Sequence, residues 1–326
     1  MQTTLARRQR HRRAAQRRPK GQGGRTLRRI LIAIPIIVVL LGVLMAGAGL
    51  LLTAAAYNYY ATGLPDPKQA LGNLDFEQQT IVYDRTGKVE LARLGSLKRE
   101  VVVFQDIPGE ALDATTSIED QNFWENPGFD PAAIVSAFLD TLDGRPRGAS
   151  TITQQLVRAR LLPEEAFKGS TYERKVREII QSIRLTEAYP GDTGKQEIIT
   201  AYLNNNFYGN NSYGIKAAAR GYFGKELKDL TLAQYAIIAA IPQSPTKFDL
   251  FKNAVEVCLD EDIQEGVECE KIQLEIPATS EIVQRRNYVL DLMKTRSSLA
   301  ADRHSAAELE AAKREPAIIQ QQVSAT

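Results

Sequence analysis

The first strong pattern along the chain is an unbroken apolar run from Ile30 to Ala56 without a charged residue. A bilayer core needs roughly 20 apolar helical residues, and this run exceeds that. It is also longer than the apolar region of a signal peptide, usually about 7–15 residues. The small residues Ala54–Ala56 leave cleavage open, but a spanning helix fits the length better. Pro35 can kink such a helix without preventing it from spanning. Tyr57, Tyr59 and Tyr60 then form an aromatic collar of the kind that favours a membrane interface.

Beyond the collar, residues 57–74 read as a linker. "QTIVYDRTGKVELARL" has two β-rich runs around Arg85-Thr86-Gly87, which predicts a hairpin. "REVVVFQDIP" predicts a further short strand stopped by Pro108. The period then turns helical as far as about residue 243. Asp130-Pro131 offers an N-cap with Pro at the first helical position. Ser150 or Thr151 can cap the next helix, with Gln154 as a capping-box partner, and Ser170 with Glu173 repeats that signature. "TLAQYAIIAAI" is apolar almost all round and should be buried. "RRNYVLDLMK" and "SAAELEAAKRE" add helices near the C-terminus.

Charge divides the chain. Residues 1–29 hold eleven Arg or Lys and no acid, while the remainder carries thirty basic against thirty-nine acidic residues. By the positive-inside rule the tail is cytoplasmic and everything after about residue 60 lies outside. Beside an apolar span, a basic tail serves topology and attraction to anionic lipid rather than nucleic acid. Cys258 and Cys269 lie close together in the external part, where an oxidising compartment favours a disulfide over two free thiols.

The two histidines, His11 and His304, leave none between the membrane and residue 303. This argues against a Ser-His-Asp system or a His-based zinc site, so acid–base work falls to carboxylates, lysines or tyrosines. Ser244-Pro-Thr-Lys247 matches S-x-x-K, but the accompanying S-D-N and K-T-G are missing, and it reads as a loop. Three clusters remain. Glu119-Asp120 with Phe123 is either a solvated helix end or a catalytic carboxylate at a cleft. Gly148 to Gln155, with Arg158 and Arg160, is either a well-capped helix or a phosphate-binding helix entry. Arg174, Lys175 and Glu178 share a helix face, as a surface salt bridge or as a cationic patch for a pyrophosphate.

In order, these clusters resemble the motifs of the peptidoglycan glycosyltransferases of glycosyltransferase family 51, the polymerising domain of class A penicillin-binding proteins. The matching segments are "EDQNFWENPGFD", "GASTITQQ", "RKVRE", "YLNNNFYGNNSYGIKAAARGYFGK" and "LTLAQYAIIAAIPQSPTKF". The resemblance implies a mainly α, lysozyme-like domain over about residues 75–250. It would stand behind a tail (1–29), one transmembrane helix (30–56) and a linker (57–74), with a small β-hairpin before the helical core. Residues 251–326 would form a cysteine-containing segment and a helical connection toward a transpeptidase domain, which the sequence does not include. A monofunctional form and one part of a longer protein both fit.

It further implies membrane-bound polymerisation of lipid II, a bacterial cell-membrane location, and lipid II, the growing glycan and other wall-synthesis proteins as partners. Glu119 would be the base and Glu178 the second essential carboxylate, orienting the pyrophosphate or a divalent cation (Mg2+ or Mn2+), with no organic cofactor. Asp120, Phe123, Asn126, Ser150, Thr151, Gln154, Gln155, Arg158, Arg174, Lys175 and Asn204 would serve the substrate. The Glu119 carboxyl should be raised by aromatic surroundings and by Asp120. Departures are Asn126 for the family's His, Arg158 for Lys, Ala149 for Gly, Ala159 for Asn and Gln234 for Glu. The rival readings are a lysozyme-like hydrolase and a non-catalytic wall-synthesis scaffold.

Overall fold

A computed structural model of the chain describes residues 23–95, 97–143, 148–260, 269, 271–297 and 304–320. The chain separates into two units, Met1–Tyr59 and Tyr60–Thr326. Helix α1 (Gly23–Ala61) extends beyond the apolar run at both ends and includes Pro35 without a break. From Ile34 to Ala61 it is long and apolar enough to cross a membrane.

The second unit is mainly helical. It begins where a linker was expected, but α2 (Pro67–Gly72) forms there. Asp66 accepts from the Gln69 amide at 2.9 Å, Pro67 opens the helix, and Leu71 is buried. The expected hairpin pairs β1 (Thr80–Tyr83) with β2 (Glu90–Leu94), antiparallel. Asp84 closes its turn by accepting from the Lys88 and Val89 amides. The next strand is shorter than the apolar run suggested: β3 (Lys98–Arg99) pairs in parallel with β4 (Ser212–Tyr213). Val102 is taken out of strand pairing by the Asn204 side chain, which bonds both its N–H and its C=O at 2.9 Å.

The helices follow as α3 (Gly109–Glu119), α4 (Pro131–Leu142), α5 (Ile152–Leu156), α6 (Thr171–Ala188), α7 (Gly191–Asn205), α8 (Ile215–Phe223), α9 (Leu232–Ala240), α10 (Leu250–Asn253), α11 (Glu281–Arg296) and α12 (Ala306–Arg314). Capping boxes form at Thr151 with Gln154 and at Ser170 with Glu173. After Leu156 the chain widens into a π turn over Val157–Leu161. α9 is buried as its composition demands and packs against both α3 and α11.

A division at residue 250 would cut through this core. Ile282, Val283, Val289 and Leu290 of α11 and Leu309 of α12 join the same apolar cluster as α9. Strands β5 (Val255–Cys258), β6 (Ile272–Ile276) and β7 (Ala317–Ile319) form an antiparallel sheet in that order. Cys258 and Cys269 are joined by a disulfide, as expected, with their Cα atoms 5.9 Å apart.

Candidate active site

α3 ends at Glu119, the first of the expected carboxylates. A helix C-terminus carries partial negative charge and so disfavours a carboxylate. Glu119 is half-buried, and its Oε2 accepts from Gln155 Nε2 at 2.7 Å. The Tyr202 hydroxyl donates to Gln155 Oε1 at 3.3 Å, which turns the amide N–H toward Glu119. Burial pushes the Glu119 carboxyl up; the Gln155 hydrogen bond and the Arg285 charge oppose this. Asp120, expected to contribute to that rise, is not among its causes. Arg285 was missed altogether, because it sits on α11 outside the five matched segments. Its Nε donates to the Ala240 carbonyl at 3.0 Å, tying it to the end of α9.

Asp120 faces the other way, into the protein. Asn126 Nδ2 donates to its two oxygens at 2.9 and 3.0 Å, and the Ile152 amide donates at 3.1 Å. Burial pushes its carboxyl up to about 6. Lys195 Nζ donates to the Asn126 carbonyl at 2.6 Å and stands 4.7 Å from the Phe123 ring centroid. Burial pushes this amine down to about 8, with the Asp120 charge opposing. Asn126 therefore does not leave the loop without a cation: it bridges the charges of Asp120 and Lys195. Its Oδ1 also accepts from the Gly128 amide at 2.9 Å.

Gly128 holds this loop against α6. Its φ is +97°, and an added Cβ would fall 2.3 Å from the Ser182 carbonyl oxygen. The Gly128 carbonyl in turn accepts from Thr151 Oγ1 at 2.8 Å. The first three clusters of the sequence are thus assembled by backbone contact as well as by side chains.

On α6, Lys175 Nζ lies 2.6 Å from Glu178 Oε1 and 2.7 Å from Ser150 Oγ. The Glu178 side chain is only 1% exposed, so an incoming substrate meets Lys175 before Glu178. Arg174 lies with its guanidinium 5.8 Å from the Phe167 ring centroid, and Arg158 is exposed. Arg160 is occupied by the Asp75 carbonyl and Asn205. Between α3 and the Ser150 turn lies a cleft of about 320 Å³ lined by Glu119, Asp120, Asp130, Ser150, Thr151 and Arg296.

Several of the expected substrate contacts are buried. Phe123 is fully buried and meets Trp124 edge-on at 5.1 Å. Asn126, Thr151, Gln154 and Asn204 are also buried, and each has a bond that fixes the frame. Gln234 answers its own departure: its Oε1 accepts from the Thr231 amide and from Lys225, so a Gln completes the cap of α9.

The divalent cation expected at Glu178 meets one carboxylate already paired with Lys175. Mg2+ keeps several waters and needs only one or two carboxylates beside substrate phosphates, so Glu178 would hold such an ion by exchanging Lys175 for it. Elsewhere among the described residues, Cys258, Asp260 and Cys269 converge, but both sulfurs belong to the disulfide.

The carboxylates of Glu119 and Asp120 line one cleft that Lys175 reaches at Ser150, an arrangement suited to acid–base chemistry. A family model described as Transglycosylase matches residues 87–294, and the chain belongs to that family. The match runs through α11, in agreement with the packing. Among relatives, the chain is 38% identical over 192 residues to Penicillin-binding protein 1A of Vibrio cholerae, covering 58% of this chain and 22% of that one. It is 38% identical to Penicillin-binding protein 1A of Aquifex aeolicus, covering 58% and 25%, and 34% identical to that of Clostridium tetani, covering 71% and 28%. The chain therefore spans roughly a quarter of the length of these relatives. A crystal structure of Penicillin-Binding Protein 1A from Haemophilus influenzae aligns with 76% of this chain and 22% of that chain, at 22% identity and a TM-score of 0.34. That similarity is too loose to carry the fold.

Proposed function

We propose that this chain polymerises lipid II into β-1,4-linked glycan, with inversion at C1 and release of a polyprenyl pyrophosphate. The observation that carries the reading is the Glu119 carboxyl, raised by burial and held by Gln155 on a cleft whose far edge, at Ser150, is reached by Lys175. Glu119 takes the proton from the acceptor 4-hydroxyl as its oxygen bonds to C1 of the donor sugar. The bond from C1 to the pyrophosphate oxygen breaks, and the leaving group carries off the electron pair. Lys175, Arg174 and Arg158 stabilise that anion. No strong acid is needed for so good a leaving group, and a base works best with a pKa near the working pH. Glu178 acts by holding Lys175, and a divalent cation bound there with the pyrophosphate would supply further positive charge against the leaving oxygens.

The basic tail and the apolar helix support an N-terminus in the cytoplasm of a bacterial cell and a catalytic unit outside its membrane. Other wall-synthesis proteins are proposed partners on family grounds alone.

A raised carboxyl on a cleft also suits a general acid, so a glycan hydrolase is the second reading. Incubating the full chain in detergent with lipid II, or with finished glycan, separates the two. Chain growth from lipid II is expected, falling by about 10³-fold in Glu119→Gln. Equal, negligible product from the wild type and Glu119→Gln would sink the enzyme reading. Cleavage of finished glycan without chain growth would favour the hydrolase.

A further inference from the structure

Arg296 closes α11 on the wall of the catalytic cleft. It also lines a second hollow of about 350 Å³, and the two spaces share Gln121, Asn122 and Arg296 as a common wall. A cleft with a side hollow suits a branched ligand, with the sugar in the cleft and a substituent passing sideways. Arg296 is half-buried and has no hydrogen bond or ion pair among the described residues. Burying part of a cation without a partner is costly, so such a site favours an anion.

Of the acids that line the cleft with it, Glu119 is held by Gln155, and Asp120 by Asn126 and the Ile152 amide. Asp130 accepts from Asn122 Nδ2 at 2.8 Å and from the Ala133 amide at 2.9 Å, which turns it into the cap of α4. Trp124 and Thr295 complete the lining of the hollow. Glu125 is exposed and is the one acidic side chain lining the hollow among the described residues. A planar guanidinium matches a carboxylate in bidentate geometry, and a neutral sugar would leave it unpaired. The pyrophosphate has its own cation in Lys175, which reaches the cleft at Ser150.

We propose that Arg296 forms a carboxylate-binding subsite for the peptide branch of the glycan substrate, in the hollow that opens beside the catalytic cleft. The proposal rests on the reading of the chain as a lipid II polymerase and adds a determinant of which lipid II it takes.

The test measures binding by the full chain in detergent, in the Glu119→Gln background so that no turnover occurs. Two ligands are compared, lipid II with free peptide carboxylates and lipid II with those groups converted to carboxamides. The Glu119→Gln chain should bind the free form about tenfold more tightly. Adding Arg296→Gln should remove that preference, weakening the free form and leaving the carboxamide form unchanged. An undiminished preference after Arg296→Gln would overturn the proposal. If Arg296→Gln does not fold, Glu125→Gln decides: roughly twofold tighter binding of the free form alone supports the subsite. No change in either form would overturn it. Failure of every chain to bind either lipid II would overturn the polymerase reading, and this proposal with it.

Discussion

Glu119 and Glu178 are chemically identical, yet the fold treats them in opposite ways. Glu119 ends a helix, meets a neutral amide 2.7 Å away, and keeps one side on the cleft. Glu178 lies inside a helix, is closed from solvent, and meets an ammonium 2.6 Å away. A carboxylate paired with a neutral donor can exchange a proton with a ligand. One locked to a lysine serves by aiming that lysine. The proposed division of labour between base and charge-holder would therefore come from the partner, and the partner is where it can be broken.

The largest effect is expected on the lysine side. Lys175→Met should lower kcat/KM for polymerisation by about 10²-fold and cost about 3 kcal/mol, because it leaves Glu178 buried and unpaired. Adding Glu178→Gln should restore most of that stability, read by urea unfolding, and none of the activity. If the double variant regained activity, Lys175 would be dispensable and Glu178 would not act through it.

Next comes the network behind Glu119. Lys195→Met removes the donor to the Asn126 carbonyl and the cation facing Asp120, and should cost about 2 kcal/mol. A loss below about 0.5 kcal/mol by the same measurement on Lys195→Met would mean that the bridge from Asp120 through Asn126 to Lys195 does not hold this loop.

Arg285 gives a smaller, more specific shift. It is one of two influences that oppose the rise of the Glu119 carboxyl, the other being Gln155. Tyr202 and Tyr208 also face this carboxyl, but both are pushed far up by burial and stay neutral. The base works ionised, so a higher pKa moves the acidic limb of the rate profile to higher pH. Arg285→Gln should move that limb up by about one pH unit, and Arg285→Lys by less. An unmoved limb with a lower rate would leave Arg285 only its structural bond to Ala240.

Much of this was legible in the sequence because it is local. The apolar span, the hairpin, the capping boxes and the order of the motifs all depend on neighbours a few residues apart. What escaped was set by long-range partners. Phe123 looked like a substrate contact but fills the core beneath Lys195, 72 positions away along the chain. Asn204 looked like part of the site but braces Val102. Arg285 and Arg296 carried no local signature, since their meaning depends on α11 lying against α3 and the cleft. The Asp66-Pro67 cap of α2 was visible, but six residues among Gly and Pro read as linker.

The smallest effect concerns a departure that looked damaging. Gln234 stands where the resembling family has Glu, and it accepts from the Thr231 amide while Thr231 Oγ1 accepts from its own amide. Either residue type completes a capping box. Gln234→Glu would add a charge near the start of α9 and beside Lys225, both favourable. It would also approach Glu315, which accepts from Thr231 Oγ1, and that opposes the gain. The opposing terms predict a change of under about 0.5 kcal/mol in unfolding free energy and no change in polymerisation rate. A larger activity gain would mean that this position serves the reaction as well as the cap, and the site would then extend to α9.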